Sequence, residues 1–118
     1  MEIVDLGQSG LRVSRVGIGC NNFGGRIGAE ETRAVVEAAL EAGITFFDTA
    51  EVYGSGGSER LLGEILEGRR DRVVIATKFG WKEDAGQGSA EGVRRAIAGS
   101  LERLHTDYVD LYYLHWPH

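Results

Sequence analysis

GITFFDTAEVYGSGGSERLLGEILEGRRDRVVIATKFG, residues 43–80, decides the fold. Its first apolar run, ITFF at 44–47, is short and reads as a strand. Leu61, Leu62, Ile65 and Leu66 then recur at the spacing of one helical stripe, and Gly68 can terminate that helix. VVIAT, residues 73–77, is a strand again. The stretch is therefore one strand–helix–strand unit, with a long loop after the first strand and a short return before the second.

The flanks repeat the cycle. Upstream, VGIG begins at Val16 as a short apolar strand, and Val35, Val36, Ala39 and Leu40 stripe a helix that Gly43 ends, with Glu30 and Glu31 in its first turn where the dipole favours acids. Downstream, Ser89 caps a third helix whose Val93, Ala96, Ile97, Ser100, Leu101 and Leu104 keep the period, and Val109 to Leu114 forms a fourth strand. Before all of this, EIVDL and LRVS flank the turn GQSG as a short β-hairpin.

Strict alternation of this kind implies an α/β fold with a parallel sheet and right-handed crossovers. Loops of about ten residues leave Cys20, Asp48 and Lys78, whereas the returns at Gly43 and at Gly68 to Asp71 are short, as in barrels of the TIM type. The expected architecture is a parallel (β/α) barrel, here only about its first four β/α units, preceded by the hairpin. One domain covers 1–118, with the hairpin in 1–14 and four strands and three helices in 15–118. A closed eightfold barrel takes about 250 residues, so the expectation is a truncated or partial form, completed by a missing carboxyl-terminal half or by a homodimer.

Composition narrows the class further. The 118 residues are 42% hydrophobic and 26% charged, a soluble globular mixture. Eighteen acids against 13 Lys and Arg give a net charge of −5, and no basic run exceeds Arg69-Arg70, which argues against a nucleic-acid surface. Cys20 is the only cysteine, so no intramolecular disulfide can form. No stretch approaches the roughly 18 apolar residues of a membrane span, and the amino terminus lacks a signal core, so a cytoplasmic location is expected, without a membrane partner.

Three strand ends aim chemistry at one place. Asp48 follows ITFF, Lys78 follows VVIAT and His115 follows VDLYYL, with Tyr53 on the loop five residues beyond Asp48. A parallel sheet puts all its carboxyl ends on one side, so these groups converge. Each has a plain structural reading: Lys78 with Asp48 as an ion pair at a strand end, His115 as a hydrogen-bonded core residue. Tyr53 favours chemistry. A free phenol has a pKa of about 10, and a cation about 4 Å away at an effective dielectric near 20 is worth roughly 4 kcal/mol before Asp48 offsets part of it, or up to about three units toward neutrality. A tuned phenol, an amine and an imidazole around one oxygen suit protonation of an alkoxide as it forms. Hydride transfer to an aldehyde or ketone makes that alkoxide.

GITFFDTAEVYGSGGSERLLGEIL, VVIATKFG and VDLYYLHWP resemble the aldo-keto reductase family in order as well as in type, and VSRVGIGCNNFGG resembles that family's first barrel strand. The resemblance implies the amino-terminal half of such a barrel, with Tyr53 as general acid, Lys78 and Asp48 tuning it, and His115 placing the substrate carbonyl. It implies a nicotinamide cofactor, NADP(H) ahead of NAD(H), near Gly19, Cys20, Asn21 and Asp48, and a small-molecule carbonyl substrate. The later strands of the family, which hold the pyrophosphate and adenosine ends, lie beyond this sequence. A cofactor-sensing or docking subunit of the same fold is the alternative, and a Schiff base on Lys78 is disfavoured because Asp48 keeps the amine charged.

Other features carry less. Gly17 and Gly19 start a G-x-G pattern, but Asn22 breaks the dinucleotide fingerprint. YGSGGSE lacks the lysine of a phosphate loop, so its glycines are expected to make the loop pliable. His105, His115 and His118 lack ligand spacing, and no metal is expected. Trp81 and Trp116 read as packing residues, although both lie on the presumed active face, where aromatic walls suit apolar substrates, and Tyr108, Tyr112 and Tyr113 read as strand residues.

Overall fold

A computed structural model describes residues 1–81 and 88–117. Six strands and three α-helices follow in the order β1 (Ile3–Asp5), β2 (Arg12–Ser14), β3 (Gly17–Gly19), α1 (Ala29–Glu41), β4 (Phe46–Asp48), α2 (Gly57–Ile65), β5 (Val74–Phe79), α3 (Ala90–Leu104) and β6 (Leu111–Leu114). β1 and β2 form an antiparallel hairpin, and β3-β4-β5-β6 form one parallel sheet in chain order. Sequential neighbours joined by helices are what right-handed crossover units produce. The fold is that of an α/β barrel of the TIM type, of which these four strands are an open portion. The middle of the long loop after Lys78, like His118 among the histidines weighed for a metal, lies outside the described residues.

The helices cover one face of the sheet, the face to which one alternate set of strand side chains points. Phe47 and Ile75 point to the helices and are buried with Val36 and Ala39 of α1, Leu62 and Ile65 of α2 and Leu104 of α3. Val35, on the same predicted stripe as Val36, is instead 38% exposed, since one face of a helix cannot turn both neighbours inward. Ser89 caps α3 as its type predicts, accepting from the Gly92 N–H at 3.0 Å. Gly63 lets α2 and α3 meet: a Cβ there would stand 2.6 Å from the Arg103 carbonyl oxygen.

A buried polar chain fastens the same layer. Glu59 of α2 is fully buried, accepts from Thr77 Oγ1 of β5 at 2.7 Å and pairs with Arg103 Nε of α3 at 2.7 Å. A carboxylate taken from water demands such partners. The hairpin sits at the opposite end of the sheet from the strand tips that carry Asp48 and Lys78, where the Ser14 hydroxyl accepts from the Thr45 N–H at the entry to β4. The two ends are thereby divided into a closed base and an open rim.

Candidate active site

Register places the polar side chains before any contact is considered. Asp48 pairs with Ala76 and with Gly19, and Lys78 pairs with Tyr113. Ala76 and Lys78 are two apart, so Asp48, Lys78 and Tyr113 share the face turned away from the helices. Asp48 is the last residue of β4 and Lys78 the fifth of the six in β5, so both lie inside their strands rather than just past them as the apolar runs predict. Their backbone groups belong to the ladder, and that fixes where the side chains leave the sheet.

Lys78 is the hub. Its side chain is only 8% exposed, and its ammonium donates to Asp48 Oδ1 at 2.8 Å, to the Thr49 carbonyl oxygen at 2.7 Å and to the Tyr53 hydroxyl at 3.2 Å. Burial pulls the Lys78 pKa down, but the hydrogen bonds to Asp48 and Tyr53 and the negative charge of Asp48 outweigh it, so the net shift is upward. The amine is a permanent cation at neutral pH, which counts against a nucleophilic role. Because the Tyr53 oxygen accepts from Lys78, its own proton is free for another acceptor.

The loop that carries Tyr53 is held firmly. The Glu51 N–H donates to the Lys78 carbonyl at 3.2 Å, and Thr49 Oγ1 and Ser58 Oγ lie 2.8 Å apart, with Ser58 donating to the Cys20 carbonyl. The glycines here serve close approach and left-handed backbone rather than the pliability expected of them. Gly54 has φ +59°, and a Cβ on it would stand 2.8 Å from the Phe23 carbonyl oxygen, where the loops after β3 and β4 cross. Ser55 beside it takes φ +53° without being glycine.

His115 follows β6, where its N–H donates to the Phe79 carbonyl at 2.7 Å. Its ring stands edge-on to Tyr53 with centroids 5.6 Å apart, and the Trp81 ring also packs against it with centroids 4.6 Å apart. Burial, and next the charge of Lys78, lower the His115 pKa below its ordinary 6.5, against the pull of Asp48, so the imidazole is neutral at pH 7. Trp81 and Trp116 are not core: they are 38% and 49% exposed and 5.8 Å apart, an aromatic wall beside the imidazole.

Around the cofactor-side candidates the outcome is mixed. Gly19 and Asn21 are exposed at the end of β3, and nothing stands within 4 Å of where a Gly19 Cβ would be, so there is room beside Asp48, itself 41% exposed. Cys20 is fully buried, its N–H donates to the Asp48 carbonyl and its carbonyl accepts from Ser58. Burial first, and then the charge of Asp48, push its thiol up to about 12, so it stays a neutral packing group. The residue missed in the sequence is Tyr113, whose hydroxyl donates to Asp48 Oδ1 at 2.9 Å. The signal for it was available: two positions before His115 on a strand is the same face.

Such a fold and rim define a barrel protein whose strand ends gather an acid, an ammonium group, a phenol and a neutral imidazole around one open space. Known sequences give that class a name. The pattern of the Aldo/keto reductase family matches residues 15–118, and the chain belongs to that family. It is 39% identical to the aldo-keto reductase YhdN of Bacillus subtilis, over 99% of this chain and 38% of the relative. It is equally 39% identical, over 99% of this chain and 38% of the relative, to a protein of Oryza sativa described as a probable voltage-gated potassium channel subunit beta. Among solved structures, an aldo-keto reductase from Klebsiella pneumoniae in complex with NADPH superposes with a TM-score of 0.79 at 35% identity, covering 91% of this chain and 37% of that one. The chain thus spans under two fifths of the length of the curated relatives it matches.

Proposed function

We propose that the intact protein reduces aldehydes or ketones to alcohols with a nicotinamide cofactor, NADP(H) ahead of NAD(H), and that Tyr53 is the general acid. One observation carries this reading: the Lys78 ammonium donates both to Asp48 at 2.8 Å and to the Tyr53 hydroxyl at 3.2 Å. An ammonium donor on the phenol oxygen favours the phenolate left when Tyr53 gives its proton away. Asp48 holds Lys78 in that position, and the fourth group, His115, offers a neutral ring nitrogen to orient the carbonyl oxygen that receives the proton. A nicotinamide, when bound, supplies the hydride. Gly19, Asn21 and Asp48 face the room it needs, and the buried Cys20 shapes that room only through its backbone.

The aromatic wall of Trp81 and Trp116 suits an apolar carbonyl substrate. The chain is read as the amino-terminal part of the barrel of a cytoplasmic protein, completed by its carboxyl-terminal half in preference to a second copy. No described helix is long and apolar enough to cross a membrane.

The test is direct. The intact protein should consume reduced cofactor with a test aldehyde, and Tyr53→Phe should remove most of that rate while leaving cofactor binding nearly intact. Undiminished turnover in Tyr53→Phe sinks the role given to that residue. A second reading, a cofactor-sensing or docking subunit, is favoured by the relative described as a channel subunit beta. Cofactor binding without any carbonyl reduction would select it.

A further inference from the structure

Two phenols flank the Lys78 ammonium, and their hydrogen bonds run in opposite senses. Nζ lies 4.8 Å from the Tyr53 ring centroid and 5.2 Å from that of Tyr113. Tyr53 accepts from Lys78, whereas Tyr113 donates to Asp48, and to the same Oδ1 that Lys78 uses. We propose that Tyr113 is a positioning residue of the site, acting through Asp48 to direct the Lys78 ammonium toward Tyr53. The proposal rests on the reading of Tyr53 as the general acid.

The physics is a division of one acceptor between two donors. A carboxylate oxygen that already receives a phenol proton holds a second donor less strongly. Tyr113 therefore loosens the grip of Asp48 on Lys78, and more of the ammonium's field falls on the Tyr53 oxygen. The Tyr113 phenol is suited to this because it stays protonated: burial, and then its hydrogen bond to Asp48, hold its pKa above the usual 10, against the pull of Lys78. The other ionisable groups facing Asp48 do not replace it. Lys78 on β5 is the hub itself, His115 beyond β6 is neutral at pH 7, and the Cys20 thiol beyond β3 is pushed up to about 12.

Tyrosine carbons labelled at Cζ in the intact protein read the idea without reference to turnover. In the wild type, Tyr113 should ionise above the usual 10 of a phenol; a Tyr113 transition at or below that value overturns the proposal. In Asp48→Asn the Tyr113 transition should come down by about one pH unit, and an unmoved transition likewise overturns it. In Tyr113→Phe, which keeps the ring, the Tyr53 transition and the alkaline limb of kcat/KM for reduction should both move up by about half a unit. Coincident wild-type and variant curves refute the coupling. Should the wild type reduce no carbonyl, the reading of the activity fails by itself, and the Tyr53 carbon still decides the coupling. If Tyr113→Phe does not fold, the Tyr113 transition in Asp48→Asn decides it.

Discussion

Thr77 and Lys78 are neighbours on β5, and alternation sends them to opposite faces of the sheet. Each leads to a carboxylate paired with a cation. On the helix side, Thr77 reaches Glu59, whose two oxygens are taken by Thr77 and Arg103 and whose side chain is 0% exposed. On the open side, Lys78 reaches Asp48, which is 41% exposed, and still has a donor for the Tyr53 phenol. A carboxylate whose two oxygens are both taken up inside the fold can only hold elements together. A pair with a donor left for a phenol at an open rim can move a proton.

That contrast can be broken at several points. The largest effect belongs to Tyr53→Phe, which should cost about 10²–10⁴-fold in kcat for carbonyl reduction in steady-state assays, with the thermal midpoint of the protein nearly unchanged. Glu59→Ala should do the reverse. It should cost about 3 kcal/mol in denaturant unfolding, at the lower end for a broken buried pair because Arg103 is partly exposed and can turn to water, while the rate per folded molecule survives. A stable Glu59→Ala protein would erase the distinction between the two pairs. Thr77→Val, which leaves Arg103 in place, should cost about 1.5 kcal/mol in the same unfolding measurement, the value of one hydrogen bond to a charged acceptor.

The smallest effects are those of pH. The His115 pKa lies below 6.5, so the neutral ring is present at and above that value and is lost as pH falls through the lowered one. The acid limb of kcat/KM should therefore lie below pH 6.5 in the wild type and disappear in His115→Gln. An acid limb that survives in the variant assigns it to another group. On the alkaline side Lys78, shifted upward from 10.5, remains charged through neutrality, and the displacement of the alkaline limb in Tyr113→Phe sharpens the coupling proposed for Tyr113.

Much of this was legible in the chain. Alternating periods gave the parallel sheet in the correct strand order, and the convergence of Asp48, Lys78 and His115 followed from parallelism alone, with Tyr53 joining them from its loop. Boundaries moved because hydrophobicity marks where a strand is buried, whereas the ladder continues as long as the backbone is paired: β5 runs to Phe79 and takes Lys78 with it. Trp81 and Trp116 read first as packing because aromatic residues usually are, but Trp81 lies beside a loop-end imidazole at an open rim and Trp116 beside Trp81, which fits the aromatic wall also weighed for them. The role of the Gly54 loop was equally hidden, since what requires glycine there is the backbone of Phe23 and Gly24 from a different crossover.

Local chemistry by itself determined which residue types stand at the strand ends and which periods the chain follows, because both are properties of consecutive residues. Only the tertiary structure decided that Tyr113 and Lys78 meet on one oxygen of Asp48 and that Glu59 is closed off with Arg103. Those contacts join residues 30 to 65 positions apart, and their distances follow from strand register and helix packing, which depend on the whole chain folding at once.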